Sequence, residues 1–189
     1  MTRSRRCFRA LLVVACFLAL ARSAIADEAG TKPKQGGAYT KPALDLEYIV
    51  FSDRALDNGV GGALRLGRQL GGPLLSLTPE IGGSYHSLNG VYDASMYRGF
   101  VGVRLSLGAL IEPGVFGHVG YGHIFFRDVS GPLDPSHGAL TYDVGVTVDF
   151  RLLPVLSLGA HAAYNGLAAN DDFSRINWIS AGGQVSVRF

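Results

Sequence analysis

The chain has 189 residues, with 17 Lys and Arg against 15 Asp and Glu, a formal net charge of +2. Five of the basic residues and both cysteines, Cys7 and Cys16, lie before residue 27, whereas every acidic residue lies after residue 26. A chain cut after residue 26 therefore carries 12 basic and 15 acidic residues, a net charge of −3. This charge argues against a nucleic-acid-binding surface, and the loss of both cysteines excludes disulfides and thiolate sites from the remainder.

The first 26 residues have the layout of a secretory signal peptide. Four arginines precede an apolar stretch at residues 10–21, and residues 24–26 form the small-x-small sequence Ala-Ile-Ala. About a dozen apolar residues are too few for a spanning helix, which needs about 20. We predict that residues 1–26 are removed. One alternative is lipidation of Cys16, but the apolar run continues beyond it and a better cleavage site follows.

After a flexible leader predicted at residues 27–42, the chain from residue 43 to 189 alternates apolar with small or polar residues. This period of two is typical of half-buried strands, and no 3.6-residue apolar stripe predicts a helix. We predict eight strands, at residues 43–51, 60–68, 74–86, 97–107, 112–125, 139–150, 155–165 and 178–189. The connections are predicted to alternate between short turns and longer loops, with both termini on the short-turn side.

The two faces of these predicted strands differ sharply in chemistry. One face is aliphatic and aromatic, and we find no Asp, Glu, Lys or Arg among the residues assigned to it. The other face carries many glycines, hydroxyl side chains and a set of nearly balanced charges. These predicted lumen charges are Asp45, Glu47, Arg65, Glu80, Arg98, Arg104, Glu112, Asp143, Asp149 and Arg188.

Alternation alone leaves open which face is inside, because a soluble lipocalin-like barrel holds an apolar ligand inside and a membrane barrel turns its apolar face to lipid. Aromatic residues at the strand ends favour the membrane barrel, since such side chains collect at membrane–water boundaries. We predict a girdle of Tyr85, Tyr97, Tyr121, Tyr142, Tyr164 and Trp178. Opposite charges in a narrow interior can also pair, as buried charges must. Pro79, in the middle of the third strand, predicts a bulge or a strand that begins only at Glu80.

The last strand alternates to the final residue and looks like the C-terminal signal by which outer-membrane β-proteins are recognised for assembly. Val185, Val187 and Phe189 carry this resemblance. Here the chain resembles the small eight-stranded OmpA/OmpX-type outer-membrane barrels over about residues 43–189. The resemblance implies an all-β fold, an eight-stranded antiparallel up-and-down transmembrane β-barrel with short periplasmic turns and longer extracellular loops. It also implies outer-membrane lipid, lipopolysaccharide and the barrel assembly machinery as partners, and it supplies no catalytic set.

Two kinds of chemistry were weighed against this structural interpretation. Some similar barrels are lipid A deacylases with a His-x-Ser pair on a late strand, but here Ala163 follows His161 at that spacing. The acids nearby, Asp171 and Asp172, do not replace the missing hydroxyl. The five histidines are scattered, so no metal or other cofactor is predicted.

A weaker hypothesis places divalent cations that bridge lipopolysaccharide at the acids of the loops. We therefore predict a non-enzymatic outer-membrane barrel with a structural or surface-interaction role and a lumen filled by side chains. The alternatives are a soluble periplasmic barrel for an apolar ligand and a deacylase-like hydrolase.

Overall fold

The computed structural model describes residues 39–51, 56–72, 74–90, 94–126, 136–168 and 175–189. The predicted signal peptide and most of the predicted leader lie outside the described residues. The strands are β1 (Tyr39–Phe51), β2 (Leu56–Gly71), β3 (Leu75–Gly90), β4 (Ala94–Leu107), β5 (Ile111–Phe126), β6 (Ser136–Arg151), β7 (Leu156–Leu167) and β8 (Ile176–Val187). No helix in the described part of the chain is long and apolar enough to cross a membrane.

The eight strands form one closed barrel in which each strand pairs antiparallel with its neighbours in sequence, and β8 returns to pair with β1. The predicted fold class is therefore confirmed. The closure is continued past β8, because Thr40 and Phe189 exchange both backbone hydrogen bonds, at 2.8 and 3.1 Å. Residues 39–42, which the sequence places in the leader, belong to β1 because they pair with residues 66–69 of β2.

The stagger of the barrel follows from its pairing. From Lys41, the cross-strand partners run through Gly67, Glu80, Gly102, His118, Asp143, Asn165 and Trp178 and return to β1 at Phe51, ten residues along. With a rise of about 3.3 Å per residue and strands about 4.8 Å apart, this stagger tilts the strands by about 41°. Each residue then advances about 2.5 Å along the barrel axis.

The turns at the end that carries the termini are short. Gly71 and Gly108, with φ of 108° and 97°, occupy the left-handed region at two of them, where a side chain would be strained. The Gly72 and Gly108 N–H groups donate to Leu75 and Leu74 carbonyls, which satisfies backbone groups at the turn. Only residues 72–74, 108–110 and 152–155 separate the strands here.

The opposite end differs from the prediction, because the strands run further than their alternation indicates. The first two connections contain only residues 52–55 and 91–93, so they are as short as the turns. The other two contain residues 127–135 and 168–175 and are longer. The predicted loops at 52–59 and 87–96 are therefore wrong in extent. At 87–96 the inward residues Leu88, Ala94 and Met96 are apolar, which removes the polar–apolar contrast that marks a strand.

Pro79 also departs from the prediction. The strand β3 begins at Leu75, and its register with β2 is the same on both sides of Pro79, from Gly67–Glu80 to Leu70–Leu77. The prediction of a bulge or a later start is therefore wrong. The two intervening positions do not pair with β2, which is the cost of a residue without an N–H. Pro79 still pairs with Val103 of β4.

Candidate functional site

The inward face holds nine of the ten predicted lumen charges in buried positions, and Glu47 has only 14 % of its side chain exposed. Each of the six carboxylates lies within 3.5 Å of a cation or an imidazole. Lys41 and Arg151, which the sequence analysis did not select, join the network. Low dielectric makes such an enclosed charge costly unless it is paired.

The end nearest the termini holds two ion-pair groups. Glu112 accepts from both Arg188 and Arg151, one on each carboxylate oxygen. Asp149 accepts from Lys41 Nζ at 3.3 Å and from the Gln184 amide. These side chains close the lumen at its lower end, defined here as the end with the termini and short turns.

Arg65 is the hub of the central layer. Its guanidinium donates twice to Asp45, at 2.6 and 2.7 Å, in the bidentate geometry that makes such pairs strong. It also donates to Glu80 at 2.9 Å and to Gln184 at 2.7 Å. Four strands are thereby cross-linked through one side chain, because these partners lie on β1, β3 and β8 while Arg65 lies on β2.

His118 occupies a position between two carboxylates and two aromatic rings. Its Nδ1 lies 2.7 Å from Asp143 and its Nε2 lies 2.7 Å from Glu80. The Phe100 and Phe116 rings lie 4.7 and 5.2 Å from the imidazole. Arg98 lies over Phe100 and Arg104 lies over Phe116, at 4.8 and 5.0 Å from the ring centroids, within cation–π distance.

The two phenylalanines of this stack are not predicted by the alternation, because the inward face is polar at most other positions. Glycines make room for them: a β carbon at Gly82 would lie 2.6 Å from the Phe100 ring, and one at Gly145 would lie 2.5 Å from the Phe116 ring. The pairing of a large inward residue with a facing glycine is the signal that would have found them.

Above the stack, Glu47 lies between His86 and His161, at 3.3 and 3.4 Å from the two Nε2 atoms. A cavity of about 30 Å³ remains beside these residues. That volume is about what one or two water molecules need and is too small for an apolar ligand. Within the described strands, no group of three or more His, Cys, Asp or Glu is arranged to hold a metal ion.

The upper end of the lumen is apolar, which the sequence analysis did not predict. The buried cluster there contains Ile49, Leu88, Ala94, Met96, Ile124, Ala139, Leu167, Ile176 and Trp178; we call it the apolar cap. Trp178 is only 2 % exposed. Its assignment to the lipid-facing girdle is wrong, because its position in β8 has the parity of Ser180 and Gln184, which face the lumen.

The outer face is almost entirely apolar and exposed, from Leu46 and Val60 through Val101, Val146 and Ile179. Tyr85, Tyr97, Tyr121 and Tyr164 are exposed on it, and Tyr142 is half-buried on it. The strand stagger places these five tyrosines and Tyr48 within about 6 Å of one another along the barrel axis. We call these six residues the tyrosine ring. It lies about 20 Å above Phe150 and Leu107, close to the about 25 Å height of an outer-membrane apolar band.

Two details of the outer face differ from the sequence analysis. Arg68 lies on this face within β2, so the statement that no charged residue falls there is wrong. Val187 has an outward position in the alternation of β8, but its side chain is only 3 % exposed. It lies at the end of β8, beside the turn at residues 152–155. Val185 is half-buried and Phe189 exposed at the lower rim. The loop acids proposed to meet divalent cations have side chains outside the described residues.

His161 is buried on the inward face, with Ala163 two residues further along the same face. Its imidazole faces Glu47 and the edge of the Phe116 ring. A lipid in contact with the outer face would be separated from this imidazole by the barrel wall. Within the described strands, His161 therefore faces the lumen and not the lipid that the deacylase hypothesis requires it to meet.

No family model and no curated protein matches the chain. Its fold is similar to that of Neisserial surface protein A (NspA), with a TM-score of 0.59, 14 % identity and coverage of 83 % of this chain and 100 % of that one. It is also similar to Ail, the attachment invasion locus protein of Yersinia pestis, with a TM-score of 0.57, 11 % identity and coverage of 80 % and 99 %. A third similar structure is a major outer membrane protein from Thermus thermophilus, with a TM-score of 0.52, 14 % identity and coverage of 79 % of this chain and 99 % of that one. The chain thus has the fold of the small eight-stranded outer-membrane β-barrels.

Proposed function

We propose that this chain is a non-enzymatic outer-membrane protein whose barrel crosses the bilayer between the tyrosine ring and the lower rim. The observation that carries the proposal is the sidedness of the barrel. Exposed aliphatic side chains cover the outer face, while the charged residues of the lumen are enclosed and paired. An outer face of this kind in water would expose far more contiguous apolar surface than soluble monomers tolerate.

The soluble lipocalin-like alternative requires the opposite sidedness. It needs an apolar lumen with room for a ligand, whereas the described lumen is charged through most of its height and retains a cavity of about 30 Å³. The proposed export signal and the outer-membrane folds of the similar structures support an outer-membrane location.

Within this proposal the lumen does not conduct ions. Two ion-pair layers, the aromatic stack and the apolar cap follow one another along the axis, so a continuous water column has no path. In planar bilayers we expect no sustained single-channel steps from the purified barrel. Stable steps that scale with salt concentration would contradict a filled lumen while leaving membrane insertion intact.

The partners we propose are outer-membrane lipid and lipopolysaccharide, with the barrel assembly machinery during biogenesis. Phe189 at the exposed lower rim is the proposed recognition residue of the closing strand. We expect Phe189→Ala to lower the outer-membrane level of the protein in cells while folding into vesicles remains near wild type. Equal loss in both assays would assign Phe189 to barrel stability instead.

Membrane insertion itself is tested by fractionation and by gel mobility. The protein is expected in the outer-membrane fraction, with the unheated barrel migrating differently from the boiled chain in detergent gels. Recovery in the soluble periplasmic fraction, with no heat-dependent shift, would overturn the proposal.

A further inference from the structure

Arg68 breaks the uniformity of the outer face. Among the strand residues whose side chains the structure describes, it is the one Asp, Glu, Lys or Arg on that face, and it is exposed. Arg175, just before β8, lies over the outward Tyr142 ring at the upper end. Arg68 lies in β2 opposite Thr40 of β1, between the outward apolar residues Leu66 and Leu70. The strand stagger places its Cα about 3 Å above the level of Phe150 along the barrel axis, and Phe150 marks the lower rim. A charge in that position has a cost in hydrocarbon unless it reaches the interface or an anion.

The surface beside Arg68 is not filled by the protein. An open groove of about 400 Å³ is lined by Thr40, Leu66, Arg68, Pro79 and Ile81 together with parts of Gly67 and Glu80. It lies where Thr78 and Pro79 of β3 do not pair with β2. The groove is a recess in the outer face next to Arg68, and Pro79 forms one of its walls.

No carboxylate among the described residues neutralises Arg68. The nearest acidic residue in the groove lining is Glu80, and its oxygens are turned inward to Arg65, Arg104 and His118. The remaining described lining residues are uncharged. The recess thus combines a guanidinium that has no carboxylate partner in the described part of the chain with apolar walls formed by Leu66, Pro79 and Ile81.

We propose that Arg68 and this groove bind a glycerophospholipid of the periplasmic leaflet, with the lipid phosphate on Arg68 and an acyl chain along the groove. A guanidinium is planar and matches phosphate oxygens with two N–H donors. Its long stem carries the charge downward to the headgroup level from a backbone position slightly inside the apolar band. The inference rests on the proposed membrane insertion.

The proposal is tested by native mass spectrometry of the detergent-purified full-length barrel, which measures the fraction of protein that retains a bound lipid. The probes are phosphatidylglycerol and diacylglycerol with the same acyl chains, each added to delipidated protein. We expect retention of phosphatidylglycerol over diacylglycerol, and we expect Arg68→Gln to lower the retained fraction about fivefold, the worth of one cation at a lipid surface. Arg68→Lys should keep only part of the retention, because it keeps the charge but loses the two-donor geometry of the guanidinium.

Arg175→Gln is the matched control, since Arg175 is an exposed arginine at the opposite end of the barrel. It should retain phosphatidylglycerol as the wild type does. Inorganic phosphate should not compete, because the groove contributes through the acyl chain. The proposal is overturned if the wild type retains the two lipids equally. It is also overturned if folded Arg68→Gln retains as much phosphatidylglycerol as the wild type. Failure of the wild type to insert into vesicles would instead contradict the proposed function.

Discussion

Tyr142 covers Gly166, its cross-strand partner, on the outer face of the barrel. A β carbon added at Gly166 would lie 2.3 Å from Cζ of the tyrosine and 2.4 Å from its hydroxyl oxygen. The ring therefore takes the place of the missing side chain, and its hydroxyl donates to Asn177 of β8 at 3.3 Å. A glycine that weakens a strand by itself is here part of a contact that joins three strands.

Gly166→Ala is expected to destabilise the barrel by about 1–3 kcal/mol, because the tyrosine ring must leave its position. The measurement is the free energy of unfolding by urea from lipid vesicles. Gly99→Ala is the control, since Gly99 is also outward-facing but a β carbon there meets nothing within 4 Å. It should change stability by less than about 0.5 kcal/mol. Equal effects of the two substitutions would show that the tyrosine does not fill the site of Gly166.

Depth along the outer face governs the second prediction. Val146 is 57 % exposed and lies roughly midway between the tyrosine ring and the lower rim, so Val146→Arg should cost about 2–4 kcal/mol on folding into vesicles. Leu140 lies on the same strand and face but about 4 Å beyond the mean level of the tyrosine ring. Leu140→Arg should cost only about 0–1 kcal/mol. If both arginines cost the same, the tyrosine ring does not mark the membrane boundary.

The Arg65 hub is expected to be sensitive to the loss of its charge. Arg65→Met leaves Asp45 without its bidentate partner and removes one of the cations on Glu80, so we expect a loss of about 3–5 kcal/mol. Adding Asp45→Asn should recover part of that loss, because it removes one uncompensated charge. Unfolding free energies of the two single variants and the double variant measure this coupling. Strict additivity would argue that the pair is not energetically linked.

The sequence predicts the barrel well where its two faces differ in chemistry. From Leu44 to Tyr48, or from Thr141 to Phe150, polar inward residues alternate with apolar outward residues, and the predicted strand and sidedness agree with the structure. The strand count and antiparallel order follow from this pattern, because each segment is long enough to cross a bilayer and short turns alternate with longer loops between the segments.

The alternation gives no such guidance at the upper end. Leu88, Met96 and Trp178 point inward but are as apolar as lipid-facing residues, so the strands were predicted too short and the tryptophan was assigned to the wrong face. Arg68 shows the opposite failure, since it is the last residue of the predicted segment 60–68 and its charge is missing from the predicted outer face. The ion pairs are harder to predict from the sequence, because they join residues as far apart as Lys41 and Asp149, 108 positions, through a register that no local pattern contains.

The position of Trp178 gives a test of the corrected sidedness at the upper end. It is the only tryptophan in the chain, so its fluorescence reports one site. Because the indole is buried in the apolar cap, lipids brominated near the headgroup should quench its emission only weakly. A variant with Trp178→Phe and Tyr97→Trp carries its tryptophan at about the same height but on the exposed outer face, as judged from the strand stagger. We expect at least several-fold stronger quenching in that variant. Strong quenching of wild-type Trp178 would return this residue to the lipid-facing girdle and contradict the apolar cap, since an indole in contact with lipid cannot also close the lumen.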